Sequence, residues 1–453
     1  MKIIIAGTGE VGFHLSKLLA QESHDIVIID HDKRALEKAT KTLDVSTVKG
    51  DATSIKTLEN AGISKADLLI AVTSTQHVNI LSCIIGKNLG VKKCIARISK
   101  SEFLHRKETF DLKSIGMDEV IYPESLGANE IKNLLKESAV TDSFEFDNGK
   151  LQLIGIKIDE KSELKDKTLG QTIYLNPNTN FTPVAIVRDI EDKIENETII
   201  PRSHNILKKD DHAYFIADSE GGVERVLALS GKKHLDINNL MIYGGSDLAY
   251  ITAKHLSKKY NIKLICEDLA HCERLADELP NVMVLNGLAT DIDFLREEDL
   301  DSMDAFLALS NDTEKNILAS LAAKEPGVKK TISQVENIDF IPLAQNMGLN
   351  TTINIKYLTA NFIVKYIREG ELLNFTLLQG VDAEVIEVEV KENSHVLESS
   401  LKDLDFPKEG IVGGVIRGND AMLPRGKFRF EIGDRVLIVT KKSGKKSIEA
   451  MFK

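Results

Sequence analysis

Short apolar runs rich in β-branched residues recur through the first 120 residues, at 2–6, 25–29, 46–48, 68–72, 93–98 and 119–122. Between them, apolar residues fall at helical spacing, for example over 11–21, 33–42 and 79–89. Strand alternating with helix in this way predicts a parallel, doubly wound sheet. Pro123 is expected to break the pattern, with a further amphipathic helix over 126–138 running into a polar linker. From about 142 to 226 the pattern changes. Strands are predicted at 151–158, 184–187 and 213–217, with turn signals at Asn176-Pro177-Asn178 and Pro201-Arg202. This stretch predicts a small β-rich lobe, followed by a polar joint, Ser230-Gly231-Lys232-Lys233-His234.

The same order then returns. Residues 1–97 align with 238–334 without a gap, at a constant offset of 237. Gly7 falls on Gly244, Asp30 on Glu267, Gly50-Asp51-Ala52-Thr53 on Gly287-Leu288-Ala289-Thr290, and Asn79-Ile80-Leu81 on Asn316-Ile317-Leu318. The last 80 residues repeat the small lobe. Gly413 to Arg417 resembles Val184 to Arg188, Pro424-Arg425 matches Pro201-Arg202, and Asp434 to Val439 matches Asp211 to Ile216. A period above 200 residues is a domain duplication and not a solenoid. The expected divisions are 1–140, 142–228, 236–373 and 374–453: a Rossmann-like unit, a small lobe, a second Rossmann-like unit and a second small lobe.

Each large unit opens as a dinucleotide-binding fold. Gly7-Thr8-Gly9-Glu10-Val11-Gly12 satisfies G-x-G-x-x-G, follows a predicted strand and opens a predicted helix. Gly7 permits a tight turn, Gly9 lets the backbone approach a pyrophosphate, and Gly12 allows close packing of helix on strand. The helix N-terminus faces the phosphates. Asp30 ends the next strand 21 residues beyond Gly9, where an acid accepts hydrogen bonds from ribose hydroxyls. Its charge repels a 2′-phosphate, which favours NAD(H) over NADP(H). Asp51, Thr73, Ser74 and Arg97 follow the carboxyl ends of the third, fourth and fifth strands, where open sheets bind ligands. Arg97 is the candidate phosphate neutraliser. Asp51 reads equally as a turn acid or helix cap, and Thr73 and Ser74 equally as caps.

The second fingerprint is altered to Gly244-Gly245-Ser246-Asp247-Leu248-Ala249, Asp51 becomes Leu288 and Arg97 becomes Gln334. Ser246 is expected to project where the pyrophosphate passes. The favoured reading is a structural unit that lost its ligand. The alternative is a distinct, weaker adenine-nucleotide site built on Gly244, Gly245 and Glu267.

Composition narrows the function. With Lys+Arg 58 against Asp+Glu 69, the net charge is −11, which argues against binding nucleic acid or anionic lipid directly. Four cysteines, Cys83, Cys94, Cys266 and Cys272, show no CxxC spacing and are expected as reduced thiols, with no zinc site. No uninterrupted apolar run approaches the 18 residues of a membrane span, and the first five residues are too short for a signal peptide. A cytosolic protein, held at a membrane only through a partner, is expected. No P-loop, HExxH, GxSxG or EF-hand pattern occurs, and the histidines of the small lobes, His204, His212 and His395, do not correspond between copies. A dehydrogenase needs a general acid or base in a substrate domain, so a sensor is favoured over an NAD-dependent oxidoreductase or a scaffold with vestigial sites.

These residues carry a family resemblance. The first unit, with Gly7 to Gly12, Asp30, Gly50-Asp51-Ala52, Thr73, Asn79 and Ala96-Arg97, resembles an RCK (KTN) domain, and the small lobe resembles its companion C-terminal domain. The tandem order resembles the soluble regulatory subunits of Trk-type bacterial potassium uptake, and Ile416 to Asp420 with Ile432-Gly433-Asp434 are typical of them. The resemblance implies a non-catalytic chain that binds NAD(H), with ATP or ADP as further ligands. It implies self-association into a ring and docking on a TrkH/TrkG-like potassium-translocating membrane subunit. By carry-over, Gly7, Thr8, Gly9, Glu10, Val11, Asp30, Thr73, Ser74 and Arg97 form the first nucleotide site.

Overall fold

The computed structural model describes residues 1–20, 24–99, 111–136, 140–178, 180–189, 197–232, 235–337, 340–349, 351–368, 374–377 and 381–452. Lys233 and His234 of the expected joint, the last residues of the helix expected over 126–138, and the boundary at 373 lie outside the described residues.

The first sheet holds β1 (Lys2–Ala6), β2 (Asp25–Asp30), β3 (Ser46–Lys49), β4 (Leu68–Ala71), β5 (Lys93–Arg97) and β6 (Glu119–Ile121). All pair in parallel, in the order β3-β2-β1-β4-β5-β6. Helices cover both faces, so the central strands are apolar on both sides: Ile3, Ile4, Ile5, Leu69, Ile70 and Ile95 have no exposed surface. Each such side chain contributes roughly 1.5–3 kcal/mol of burial energy. Pro123 does not break the pattern; it opens the helix Pro123–Lys136. Proline fits there because the first helical N–H has no partner in the helix anyway.

The strand order reverses between β1 and β4, which leaves a crevice at their carboxyl ends. One compact unit comprises 1–128 together with 354–366. The chain thus returns from the end of the second copy to pack the helix Ile355–Arg368 with the first sheet. Near its start, Lys356 pairs with Glu10 and the Tyr357 ring lies 5.3 Å from that of His14. Further along, Lys93 sits over Tyr366.

The other compact unit comprises 129–353 and 367–453. Its parallel sheet repeats the first: β12 (Asn239–Tyr243), β13 (Asn261–Cys266), β14 (Met283–Asn286), β15 (Ala305–Ala308), β16 (Lys330–Gln334) and β17 (Thr352–Ile353), ordered β14-β13-β12-β15-β16-β17. The small lobes are antiparallel sheets. The first contains β7 (Asp142–Phe146), β8 (Leu151–Lys157), β9 (Phe181–Arg188), β10 (Glu197–Ile199) and β11 (His212–Asp218), ordered β10-β9-β11-β8-β7. The second contains β18 (Asn374–Leu377), β19 (Glu384–Glu389), β20 (Gly410–Arg417), β21 (Asp420–Met422) and β22 (Arg435–Thr440), ordered β18-β19-β22-β20-β21. The edge strands β7 and β10 escape the apolar-run criterion: β7 carries Asp142, Ser143 and Glu145, and β10 has three residues.

The two small lobes share a core. Leu151, Leu153, Val184 and Ile216 of the first pack with Val385, Ile416, Leu437 and Val439 of the second. Backbone comes close there: a Cβ on Gly413 would lie 2.2 Å from Ile216 Cδ1. Each lobe repeats one bidentate ion pair, Arg188 with Asp211 and Arg417 with Asp434. Both carboxylates are buried, so removing either guanidinium strands a charge.

Cys266 and Cys272 are joined as a disulfide, against the expectation of four free thiols; Cys83 and Cys94 are free and buried. The strand end and the following helix bring the two Cα atoms to 5.9 Å, a proximity invisible in their spacing.

Several titratable groups surround Asp142 in the second unit. His212, Tyr214 and Thr141 contact its Oδ2, and Lys330 donates to the Val140 carbonyl at 2.6 Å. Burial, helped by the Asp142 charge, raises the Glu130 pKa from 4.5 to about 7. Burial lowers that of Lys330 to about 8. Because the folded pKa of Glu130 is raised, its contribution is intact below pH 4.5 and is lost as pH climbs through 7. Glu130→Gln should therefore gain stability relative to the parent between those values, by on the order of 3 kcal/mol, and level off above. Urea midpoints across that range check this; a parallel pair of pH profiles would refute it. Gly413→Val should drive a branched side chain into Ile216 and cost roughly 1–3 kcal/mol in the same measurement, against no change if the lobes simply part.

Candidate functional site

The crevice of the first sheet is built by three loops. The first follows β1. Gly7 has φ +109°, and a Cβ there would meet the Thr73 backbone at 3.0 Å; a Cβ on Gly12 would meet the Gly7 carbonyl oxygen at 1.9 Å. Both glycines are therefore required by the fold itself. Gly9 is different. Its φ lies outside the left-handed range and nothing lies within 4 Å of where its Cβ would stand. The chain leaves this space empty without needing to. Glu10 opens the helix Glu10–Ala20, whose first N–H groups have no helical partner and face outward from the loop. Val11 is buried beneath.

Asp30 ends β2 beside that loop. Its Oδ2 accepts the Thr8 N–H at 2.6 Å and the Thr8 hydroxyl, and its Oδ1 accepts the Asp32 N–H at 2.9 Å. Burial opposes ionisation, but the donors from Asp32 and Thr8 outweigh it and hold the carboxyl below the usual range. Asp30 is thus an anion fixed against the glycine turn, with its side chain 13% exposed. Those residues fit a dinucleotide: an anchored acid for ribose hydroxyls, an open backbone for the pyrophosphate and a helix N-terminus behind it.

The second and third loops follow β4 and β5, and one side chain ties them. The buried Asn79 amide accepts from the Thr73 N–H at 2.9 Å and the Thr73 hydroxyl at 2.6 Å. Its NH₂ donates to the Thr73 carbonyl at 3.1 Å and the Arg97 carbonyl at 2.9 Å. Thr73 is therefore fixed in the brace, Ser74 is exposed next to it, and Arg97 is held at the crevice rim. No described residue forms an ion pair with the Arg97 guanidinium. Asp51 accepts from the Thr53 N–H and hydroxyl at 2.8 and 2.7 Å, which lowers its pKa. It is a turn acid in this structure, one of the two roles its sequence allowed. Asn79 appears in the family pattern, but no sequence signal marks it as the organiser of the crevice.

The second crevice is filled from within. Glu267, at the place of Asp30, accepts from Lys315 Nζ at 2.9 Å on both oxygens and from the Tyr243 hydroxyl at 2.6 Å. Lys315 and Tyr243 hold the carboxyl below its ordinary range. His271 Nε2 lies 2.7 Å from the Gly245 carbonyl oxygen and occupies the space beside that glycine. Gly244 keeps the strained turn at φ +126°. Ser246 does not project outward as expected. Its hydroxyl turns inward, donates to the Leu309 carbonyl and accepts the Ala249 N–H at 3.1 Å. Serine is a favoured helix cap, and that local bond decides its orientation. The brace is retained: Asn316 bonds the Ser310 N–H and carbonyl and the Gln334 carbonyl.

Among the described residues, no helix is long and apolar enough to cross a membrane, and no group of three or more His, Cys, Asp or Glu is placed to hold a metal.

Comparison with known proteins agrees with this architecture. The TrkA-N domain family matches residues 3–123 and again 240–355, and the TrkA-C domain family matches 385–453. The Trk system potassium uptake protein TrkA homolog of Archaeoglobus fulgidus is 32% identical over 454 residues, covering 100% of both chains. The Trk system potassium uptake protein TrkA of Halomonas elongata is 31% identical over 457 residues, covering 100% of this chain and 98% of its own. Among solved structures, the GsuK RCK domain superposes with TM-score 0.59 at 15% identity, covering 100% of this chain and 94% of that one. The GsuK channel bound to NAD superposes with TM-score 0.56 at 15% identity, covering 100% and 78%. At that identity the two structures show a shared fold.

The brace is directly testable. Asn79→Ala leaves the Thr73 N–H, the Thr73 carbonyl and the Arg97 carbonyl without their partner. The expected cost is about 2–4 kcal/mol, read as a lower urea midpoint. An unchanged midpoint would show that water replaces the amide freely.

Proposed function

The chain belongs to the TrkA family, and from that premise we propose that it is a nucleotide-sensing regulatory subunit of a potassium uptake system. It is a regulatory protein and not a catalyst. The proposed ligand is NAD(H), bound across the first crevice, with ATP or ADP as further adenine ligands. Gly7, Thr8, Gly9, Glu10 and Val11 present backbone and helix N-terminus to the phosphates. Asp30 receives the ribose hydroxyls, Arg97 neutralises phosphate charge, and Thr73, Ser74 and Asp51 line the opening. NAD supplies no chemistry in this role; it is a bound signal.

The observation that carries this reading is Gly9. The fold requires Gly7 and Gly12 as glycine, but neither its backbone angle nor any neighbour requires Gly9, and the space it leaves opens beside the anchored Asp30. A pyrophosphate lying against the protein backbone is what such a gap accommodates. The second copy reads as the structural one, its acid already neutralised by Lys315; Gly244, Gly245 and Glu267 would bind a nucleotide only by displacing that lysine.

The proposed output is mechanical. Bound nucleotide shifts the equilibrium between arrangements of the chain only by its differential affinity for them. Assembled as a homo-oligomeric ring in the cytoplasm, the protein would transmit that shift to a potassium-translocating membrane subunit of the TrkH/TrkG type, to which it is peripherally attached. The four-part division at 1–140, 142–228, 236–373 and 374–453 belongs to the same proposal.

Calorimetry of the full chain should give one NADH per chain, with NADH left chemically unchanged. Gly9→Ala should weaken NADH at least tenfold while leaving the melting temperature in place, because its Cβ meets no protein atom. Two equal sites per chain, or undiminished binding by Gly9→Ala, would count against the assignment.

A further inference from the structure

The nucleotide-binding turn carries a carboxylate where phosphates are expected, and the helix that follows the second parallel sheet supplies its counter-charge. Glu10 is the first residue of the helix Glu10–Ala20, directly after Gly9, and its side chain is 61% exposed. Lys356 Nζ sits 2.6 Å from Glu10 Oε2 and is 30% exposed. Lys356 is the second residue of the helix Ile355–Arg368, which follows the whole second Rossmann sheet in the chain yet packs in the first compact unit. The contact is not isolated. Tyr357 stacks at a tilt on His14, one helical turn beyond Glu10 on the same face. Two consecutive residues of the returning helix therefore read two consecutive turns of the phosphate-facing helix.

We infer that Lys356 is a phosphate-positioning residue of the first nucleotide site, held by Glu10 in the free protein and handed to the ligand's phosphates on binding. The inference rests on the nucleotide assignment above and deepens it. The helix N-terminus favours negative charge, and in the free chain Glu10 supplies that charge. An incoming pyrophosphate brings a larger one to the same place and competes with Glu10 for the ammonium. The exchange is cheap because a partly exposed ion pair contributes little by itself. It is also selective. A lysine is a mobile point charge, so its gain scales with phosphate charge, and the ligand class it favours is the adenine di- and triphosphates over adenosine.

The test uses the full chain and isothermal calorimetry with adenosine, NADH, ADP and ATP. Lys356→Gln is expected to weaken NADH about threefold and ATP about tenfold, to leave adenosine unchanged, and to lose part of the salt dependence. Lys356→Arg should restore most of the loss. Glu10→Gln should act in the opposite direction and tighten ADP and ATP, because it removes the carboxylate that competes with phosphate for the lysine. A purely structural ion pair predicts instead that both neutral variants lower the melting temperature alike and leave affinity untouched. Wild-type binding with unchanged affinities in Lys356→Gln would overturn this inference alone. A wild-type chain that binds none of the four ligands would overturn the nucleotide assignment, and this inference with it.

Discussion

One buried amide in each copy ties together the loops that border its crevice. Parallel strands end in free backbone, and a ligand crevice at those ends needs its loops fixed without filling the gap between them. Asn79 and Asn316 do this with the full hydrogen-bonding capacity of a carboxamide, taking an N–H and giving two N–H bonds to carbonyls of the loops after the fourth and fifth strands. No aspartate or leucine could serve, since the first lacks donors and the second lacks both. The glycine turn rests on the same framework, because the Gly7 backbone stands against Thr73, which Asn79 secures.

On that common frame the two copies diverge in electrostatics more than in shape. In the first, the acid is fixed by donors from its own turn, and Arg97, at the end of the fifth strand, has no described acidic partner. In the second, a lysine from the helix Thr313–Lys324 crosses to the acid, a tyrosine adds a second donor, and a histidine covers the loop. Duplication preserved the hydrogen-bonded skeleton and redirected the charges.

The sequence makes the larger features legible because they rest on periodicity and exact repetition. Both parallel sheets follow from apolar runs, and the 237-residue offset carries the first five strands of the first sheet onto those of the second, to within a residue. The Arg188–Asp211 and Arg417–Asp434 pairs are equivalent in the sequence alignment and in space. What escapes is decided by side-chain direction or by distant partners. Ser246 turns inward because a cap bond competes with projection. Strand β7 is an edge whose polar positions hide it. Cys266 meets Cys272 only through the geometry of a strand end. Lys315 is one lysine among many until it lies on Glu267.

The shared hydrophobic core of the small lobes has a consequence for how this polypeptide came to be one piece. Leu151 and Ile216 bury themselves against Ile416 and Leu437, so each half on its own would present an oily face to water. Before the halves were fused, two separate products would have had to meet by diffusion. Covalent linkage replaces that encounter with a millimolar-scale local concentration.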